Sequence, residues 1–168
     1  METDKKWYVI KVYSNREKKC FEDLTKLGVE VYFPLQKVVK KWSDRNKIVE
    51  VPLFRGYLFV KIDYNNRASI YQSNHFKNFL INNGKPGVVS EKEIDLINKI
   101  LTNSSDIETD NKSLQEGRLI KINSGPFEGY EGYITSFKDV EKIKISIPLI
   151  NQNISLVLQN IEFTFNEL

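Results

Sequence analysis

The 168 residues contain one cysteine, one histidine and one methionine. A single cysteine closes no disulfide within the chain, which fits a reducing compartment such as the cytosol. Cys20 and His75 have no metal-spaced partner and make no nucleophile–base pair. A Gly-x-x-x-x-Gly-Lys-Ser/Thr phosphate loop is missing. Glu91 and Glu93 look paired, but both fall at the start of an expected helix, where the helix dipole accounts for acids. No apolar run approaches the roughly 18 residues of a membrane span. The opening Met-Glu-Thr-Asp-Lys-Lys-Trp lacks the apolar stretch of a signal peptide. These shortages point away from an enzyme, from a metal or cofactor carrier and from a membrane protein. Cys20 reads as a small core residue.

What is present is an ordinary globular composition, 40% apolar and 28% charged. The net charge of +3 is unevenly spread. Residues 1–102 carry 19 Lys and Arg against 12 acids, a net +7; residues 114–168 carry 5 against 7, a net −2. A basic first part joined to a mildly acidic second part suggests two modules, of which the first meets a polyanion.

The densest aromatic and β-branched stretch is Val51 to Ile62, Val-Pro-Leu-Phe-Arg-Gly-Tyr-Leu-Phe-Val-Lys-Ile. From Gly56 it reads as a central strand, with Pro52 just before it, where a ladder donor can be spared. Alternation places Tyr57 and Phe59 on one side, Leu58 and Val60 on the other. One side can pack on helices; the other, with Phe54, can offer rings to a partner. Upstream, Lys6 to Val12 reads as a strand. Ser14-Asn15-Arg16-Glu17 reads as a capping box, followed by helical spacing of Phe21, Leu24 and Leu27 and a stop at Gly28. Arg16, Lys18 and Lys19 crowd that helix start against its dipole, which suits phosphate contact or a solvated face. Lys37 to Trp42 and Lys47 to Val51 flank the turn-rich Ser43-Asp44-Arg45-Asn46, a hairpin with a basic arm. Lysines on such an arm serve nucleic-acid contact, with Trp42 beside them, or guard an exposed sheet edge.

Further on, Asp63 to Tyr71 reads as a turn and short helix, and Asn78 to Ile81 as a short strand ending at Asn82-Asn83-Gly84. Ser90-Glu91-Lys92-Glu93 is a second capping box, with Ile94, Ile97 and Leu101 as the stripe of its helix. The order suggests an α+β ferredoxin-like sandwich over residues 1–102. Asn103 to Ser113 has one large apolar residue and reads as a flexible linker. Five short strands, Leu119 to Ile122, Tyr130 to Phe137, Lys142 to Ile147, Ile154 to Leu158 and Ile161 to Phe165, suggest a small β-barrel over residues 114–168.

The two halves together resemble the NusG-type transcription elongation factors. The first half is similar to their N-terminal domain in Trp7-Tyr8-Val9, in Pro52-Leu53-Phe54-Arg55-Gly56-Tyr57-Leu58-Phe59-Val60 and in Gly84-Lys85-Pro86. The second resembles their KOW domain, an SH3-like barrel, in Glu116-Gly117 and in Ile122-Asn123-Ser124-Gly125-Pro126-Phe127-Glu128-Gly129-Tyr130-Glu131-Gly132. The run Pro34-Leu35-Gln36-Lys37-Val38-Val39 through Lys41-Trp42-Ser43-Asp44-Arg45 resembles the specialised paralogues, antiterminators of long operons that often encode surface polysaccharides, rather than the housekeeping factor.

The resemblance implies a bacterial, cytoplasmic, monomeric factor without cofactor that binds RNA polymerase and makes or breaks no bond. Pro52, Phe54, Tyr57 and Phe79 match the patch that docks on the β′ clamp helices. Arg67 to Ile70 matches the segment that reaches the β gate loop in some paralogues. Arg16, Lys19, Asn74 and His75 match the face toward the exposed non-template DNA strand, and Lys40, Lys41 and Arg45 extend the basic surface. Gly125, Pro126, Phe127, Gly129 and Gly132 carry the KOW motif. Arg55 stands where proline is common, Asn74-His75 where Pro-Gly or Arg-Gly is frequent, and Arg118 where aspartate is usual. Leu149-Ile150-Asn151 replaces the aromatic-glycine turn used toward Rho and ribosomal protein S10, so neither contact is carried over. Pro148, the glycines and the β-branched residues favour a resident barrel over a helical hairpin. The alternatives are a housekeeping NusG-like elongation factor and, behind it, a ribosome-associated RNA-binding protein using the barrel, which the net −2 of residues 114–168 disfavours.

Overall fold

The computed structural model describes residues 4–103, 107–110, 117–137, 140–150, 152–157 and 162–165. They fall into two compact units, Met1–Glu91 and Lys92–Leu168.

The first unit is built on an antiparallel sheet. Its central strand β1 (Lys6–Val12) is flanked on one side by β5 (Tyr57–Ile62), with β2 (Glu30–Tyr32) beyond, and on the other by β6 (Phe76–Phe79) and β9 (Val88–Val89). Helix α1 (Glu17–Lys26) and a 3-10 segment (Tyr64–Gln72) cover one face. There Cys20, Leu24 and Ile70 pack with Tyr8, Ile10, Val12, Leu58, Val60 and Ile62. The expected packing side of β5 is therefore the observed one. Helix α1 ends as expected: Gly28 N–H returns to Thr25 O (3.0 Å) and Val29 N–H to Leu24 O (3.0 Å), the paired bonds of a Schellman ending.

Its start differs. Ser14 and Asn15 form a turn, Arg16 takes the cap position, and no side chain caps the helix. Glu17, read as the acid of a capping box, is 6% exposed and its Oε1 accepts the Gly56 N–H at 2.8 Å. Gly56 has φ +81°, so its amide faces a partner that ordinary strand pairing would not supply. The acid thus pins the helix start to the loop before β5.

Strands β3 (Leu35–Lys41) and β4 (Asn46–Pro52) form the expected hairpin, a separate two-stranded ribbon. Leu53 N–H donates to Pro34 O (2.9 Å) at its base. A smaller hairpin, β7 (Ile81–Asn82) and β8 (Lys85–Pro86), turns at Asn83-Gly84. Helix α2 (Glu91–Asn103), placed by sequence at the end of the first module, begins at the boundary between the units and buries Ile94, Leu96, Ile97 and Ile100.

The second unit carries a six-stranded antiparallel sheet in the order β10-β14-β13-β12-β11-β15. The strands are β10 (Ile107–Asp110), β11 (Arg118–Ile122), β12 (Glu131–Phe137), β13 (Val140–Ile147), β14 (Gln152–Val157) and β15 (Phe163–Phe165). Five correspond to the expected strands; Leu158 and Ile161, placed by sequence in two of these, lie outside the described residues. The sixth corrects an expectation, because β10 lies within the stretch read as linker. Ile107 and Thr109 are half-buried and pair with Leu156 and Ile154, so a strand with one large apolar residue is held by a well-buried neighbour. In β13 the alternation Ile143, Ile145, Ile147 faces the core. Phe127, expected to carry a KOW motif, is 1% exposed. Gly132 sits where an added Cβ would lie 2.7 Å from Ile143 Cγ2 and 3.1 Å from Lys144 O. Ile150, in the segment expected to replace an aromatic-glycine turn, is buried.

Candidate polymerase and nucleic-acid surfaces

Register sorts the expected docking residues between the two faces of the first sheet. Tyr57 pairs with Lys11, and Lys11 with Asn78, so these share a face with Phe59 and Phe54. Phe79 pairs with Ile10 and joins the opposite face, toward α1. The structure thus brings Phe54 and Tyr57 together and separates Phe79 from them.

Phe54 and Phe59 are sealed, 2% and 0% exposed, with ring centres 6.1 Å apart. The expectation that Phe54 and Phe59 lie open is corrected: Phe59 also packs on Tyr32 (5.9 Å), and the second face of the strand is covered like the first. Tyr57 is half-exposed, with Lys11 Nζ 6.0 Å from its ring centre, and Pro52 is half-exposed at the foot of the ribbon. Tyr57 N–H reaches Phe54 O at 3.4 Å, a backbone contact across the turn into β5.

On the opposite face Phe79 is 7% exposed and sits at the centre of an aromatic cluster. Tyr64 lies 5.3 Å from it, Phe76 5.4 Å, Tyr71 6.2 Å and Tyr8 6.3 Å. Its open end is Tyr71, 60% exposed and 5.2 Å from Phe76. Sequence reading missed Tyr71, although an aromatic amid polar residues is the signal that marks it. Arg67 is held against this cluster, its guanidinium 4.3 Å from the Tyr64 ring centre and Nη1 donating to Tyr64 O at 2.9 Å.

Arg16, Asn74 and His75 do come together. Tyr13 N–H donates to His75 O (3.1 Å) and Tyr13 O accepts from Arg16 N–H (3.0 Å), which ties the helix start to the turn before β6. The turn is fixed from below: His75 N–H donates to Ser73 Oγ (3.3 Å), and Ser73 Oγ donates to Asp23 Oδ2 (2.8 Å). Arg16, Lys19 and Asn74 are exposed and Tyr13 is 52% exposed, so a basic, ring-bearing surface faces solvent here. Beneath it Cys20 is fully buried, and burial pushes its thiol up, as a core residue requires. Lys40, Lys41 and Arg45 are exposed on the ribbon, a separate basic surface. Among the described residues no group of three or more His, Cys, Asp or Glu is arranged to hold a metal ion, and no helix is long and apolar enough to cross a membrane.

The family described as transcription termination factor NusG matches residues 5–98. The chain is 28% identical to the transcription termination/antitermination protein NusG of Campylobacter jejuni over 156 residues, 84% of this chain and 88% of that one. It is 26% identical to the NusG protein of Borreliella burgdorferi over 182 aligned residues, 93% of this chain and 97% of that one. A solved structure described as domain interaction in Thermotoga maritima NusG superposes with a TM-score of 0.60 at 24% identity, covering 93% of this chain and 94% of that one.

Proposed function

The chain belongs to the NusG family, and on that premise we propose that it is a transcription factor that binds RNA polymerase and suppresses pausing or termination. Tyr57, with Pro52 beside it, docks on the β′ clamp helices. Arg67 and the Tyr71 end of the aromatic cluster reach toward the β subunit from the opposite face. Two contacts from opposite faces of one small rigid sheet would hold the polymerase clamp closed. Arg16, Lys19, Asn74 and His75 meet the non-template strand. This is cytoplasmic binding work, with no bond made or broken.

The observation that carries the reading is the half-buried Tyr57 ring at the start of β5, on the sheet face whose neighbouring ring, Phe59, is sealed. A few desolvated aromatics supply most of the energy when a helix tip enters such a site. Tyr57→Ala is expected to abolish capture of a β′ clamp-helix fragment while the thermal melt stays cooperative. Unchanged capture by the folded variant would remove Tyr57 from the interface.

Within the family, the basic ribbon and the loss of the aromatic-glycine turn support a specialised antiterminator of particular long operons over the housekeeping factor. Buried Ile150 leaves no ring at the position used toward Rho and ribosomal protein S10. Loss of long transcripts from one operon on deletion, with bulk transcription unchanged, is the outcome expected of the specialised role.

A further inference from the structure

The β3–β4 ribbon contributes little to the core of its unit and much to its surface. Register defines its two faces: Gln36/Val51, Val38/Val49 and Lys40/Lys47 share one, and Lys37/Glu50, Val39/Ile48 and Lys41/Asn46 share the other. Trp42 follows Lys40 on the first face, with Lys47 Nζ 5.9 Å from its ring centre. Its N–H closes the turn on Arg45 O at 2.8 Å, and the indole is 57% exposed.

Lys40 and Lys47 stand directly opposite each other, a pairing that is unfavourable for like charges. Among the described residues neither ammonium has a carboxylate partner. Glu50 is on the other face opposite Lys37, and Asp44 lies 3.9 Å from Arg45. Over residues 35–52 five basic side chains face two acidic ones. Two opposed ammonium groups beside an open indole are relieved by a ligand that brings phosphates and a flat π face together. A second copy of the ribbon would bring more lysines against these. A duplex offers phosphates, but its base faces are already stacked.

We propose that this tip face holds a single unpaired nucleotide strand, with Trp42 stacked on a base and Lys40 and Lys47 on the flanking phosphates. The inference deepens, and rests on, the reading that the chain works beside nucleic acid; it needs no polymerase to be tested. The other tryptophan, Trp7, is 7% exposed and donates to Glu91 Oε2 at 3.1 Å, so Trp42 is the open fluorophore.

The full chain is titrated with oligothymidylate, with oligouridylate of the same length and with a blunt DNA duplex. Single strands are expected to quench the exposed indole, and the duplex to bind more weakly without quenching. The tighter of the two strands tells DNA from RNA as the source. Trp42→Ala should weaken strand binding by about 5- to 150-fold, the range for loss of one base–aromatic stack. Replacing Lys40 and Lys47 by Gln should lower the slope of log affinity against log salt by about 1.4. Strand binding that leaves the indole unquenched, tighter binding of duplex, or an unaltered affinity for Trp42→Ala would overturn the proposal. A chain that binds no nucleic acid while still capturing the clamp-helix fragment overturns it too, and spares the polymerase reading. Loss of that capture alone overturns only the docking assignment.

Discussion

Two parts of the first unit have similar raw material and opposite fates. Around β5, Leu53, Phe54, Leu58, Phe59 and Val60 are all 2% exposed or less. On the ribbon, Val39, Ile48 and Trp42 are 64%, 67% and 57% exposed. Apolar character does not distinguish them. A strand between neighbours, covered on both faces, buries whatever it carries; a two-stranded ribbon has too few layers to bury either face. An open ring therefore marks a place where the architecture runs out, and on this unit such places include the ribbon tip, Tyr13, Tyr57 and Tyr71.

The sharpest way to break this comparison is to truncate one ring from each part. Phe59→Ala should cost about 3–5 kcal/mol in a denaturant melt of the full chain, as for other fully buried aromatics. Trp42→Ala should stay within about 0.5 kcal/mol, the usual range for a surface position. Similar costs at both sites would mean that the ribbon is part of the core. Next in size is the bond that pins the start of α1 to the loop before β5: Glu17→Ala leaves the part-buried Gly56 N–H without its acceptor and should cost about 1–3 kcal/mol. Glu17→Gln keeps an acceptor oxygen and should recover part of that loss.

The smallest effect concerns Glu91, whose side chain is 67% exposed. Lys61 Nζ at 2.6 Å and the Trp7 indole N–H hold its carboxyl below the usual carboxylate range. A carboxyl lowered in the folded state adds stability that is fully present above its ordinary value. That stability is lost as pH falls through the lowered one, below about pH 4. Lys61, raised mainly by its bond to Glu91, adds stability that fades only as pH rises through its raised value, above about pH 10. A shallow plateau between these limits is expected, and Glu91→Gln should flatten the acid side. An acid limb as steep in the variant as in the parent would contradict this.

Much of this was legible in the sequence, because periodicity reports burial of one face. Ile143, Ile145 and Ile147 read as a half-buried strand and are one, and the ribbon was visible from its turn residues and lysines. Three features were not legible. Alternation says which side the Phe59 ring takes, and nothing local to Phe54 or Phe59 says whether that side is covered. Glu17 sat at the right spacing for a capping box, and only the fold brings the Gly56 amide within reach. Ile107–Asp110 looked too polar to order itself, and it pairs with β14 through backbone bonds that composition does not record. The candidate site was legible as residue types and only partly as a surface: the Tyr13 backbone ties Arg16 to His75, whereas Phe79 lies on the face opposite Tyr57.

The central claim is that the surface of the first unit around Tyr57 is the one that RNA polymerase covers. Hydrogen exchange of the full chain with and without core RNA polymerase tests it directly. New protection of amides from 53 to 58 is expected, with a smaller change near Tyr71. Protection confined to residues 118–165, or none in the first unit under conditions where the complex is intact, would contradict it.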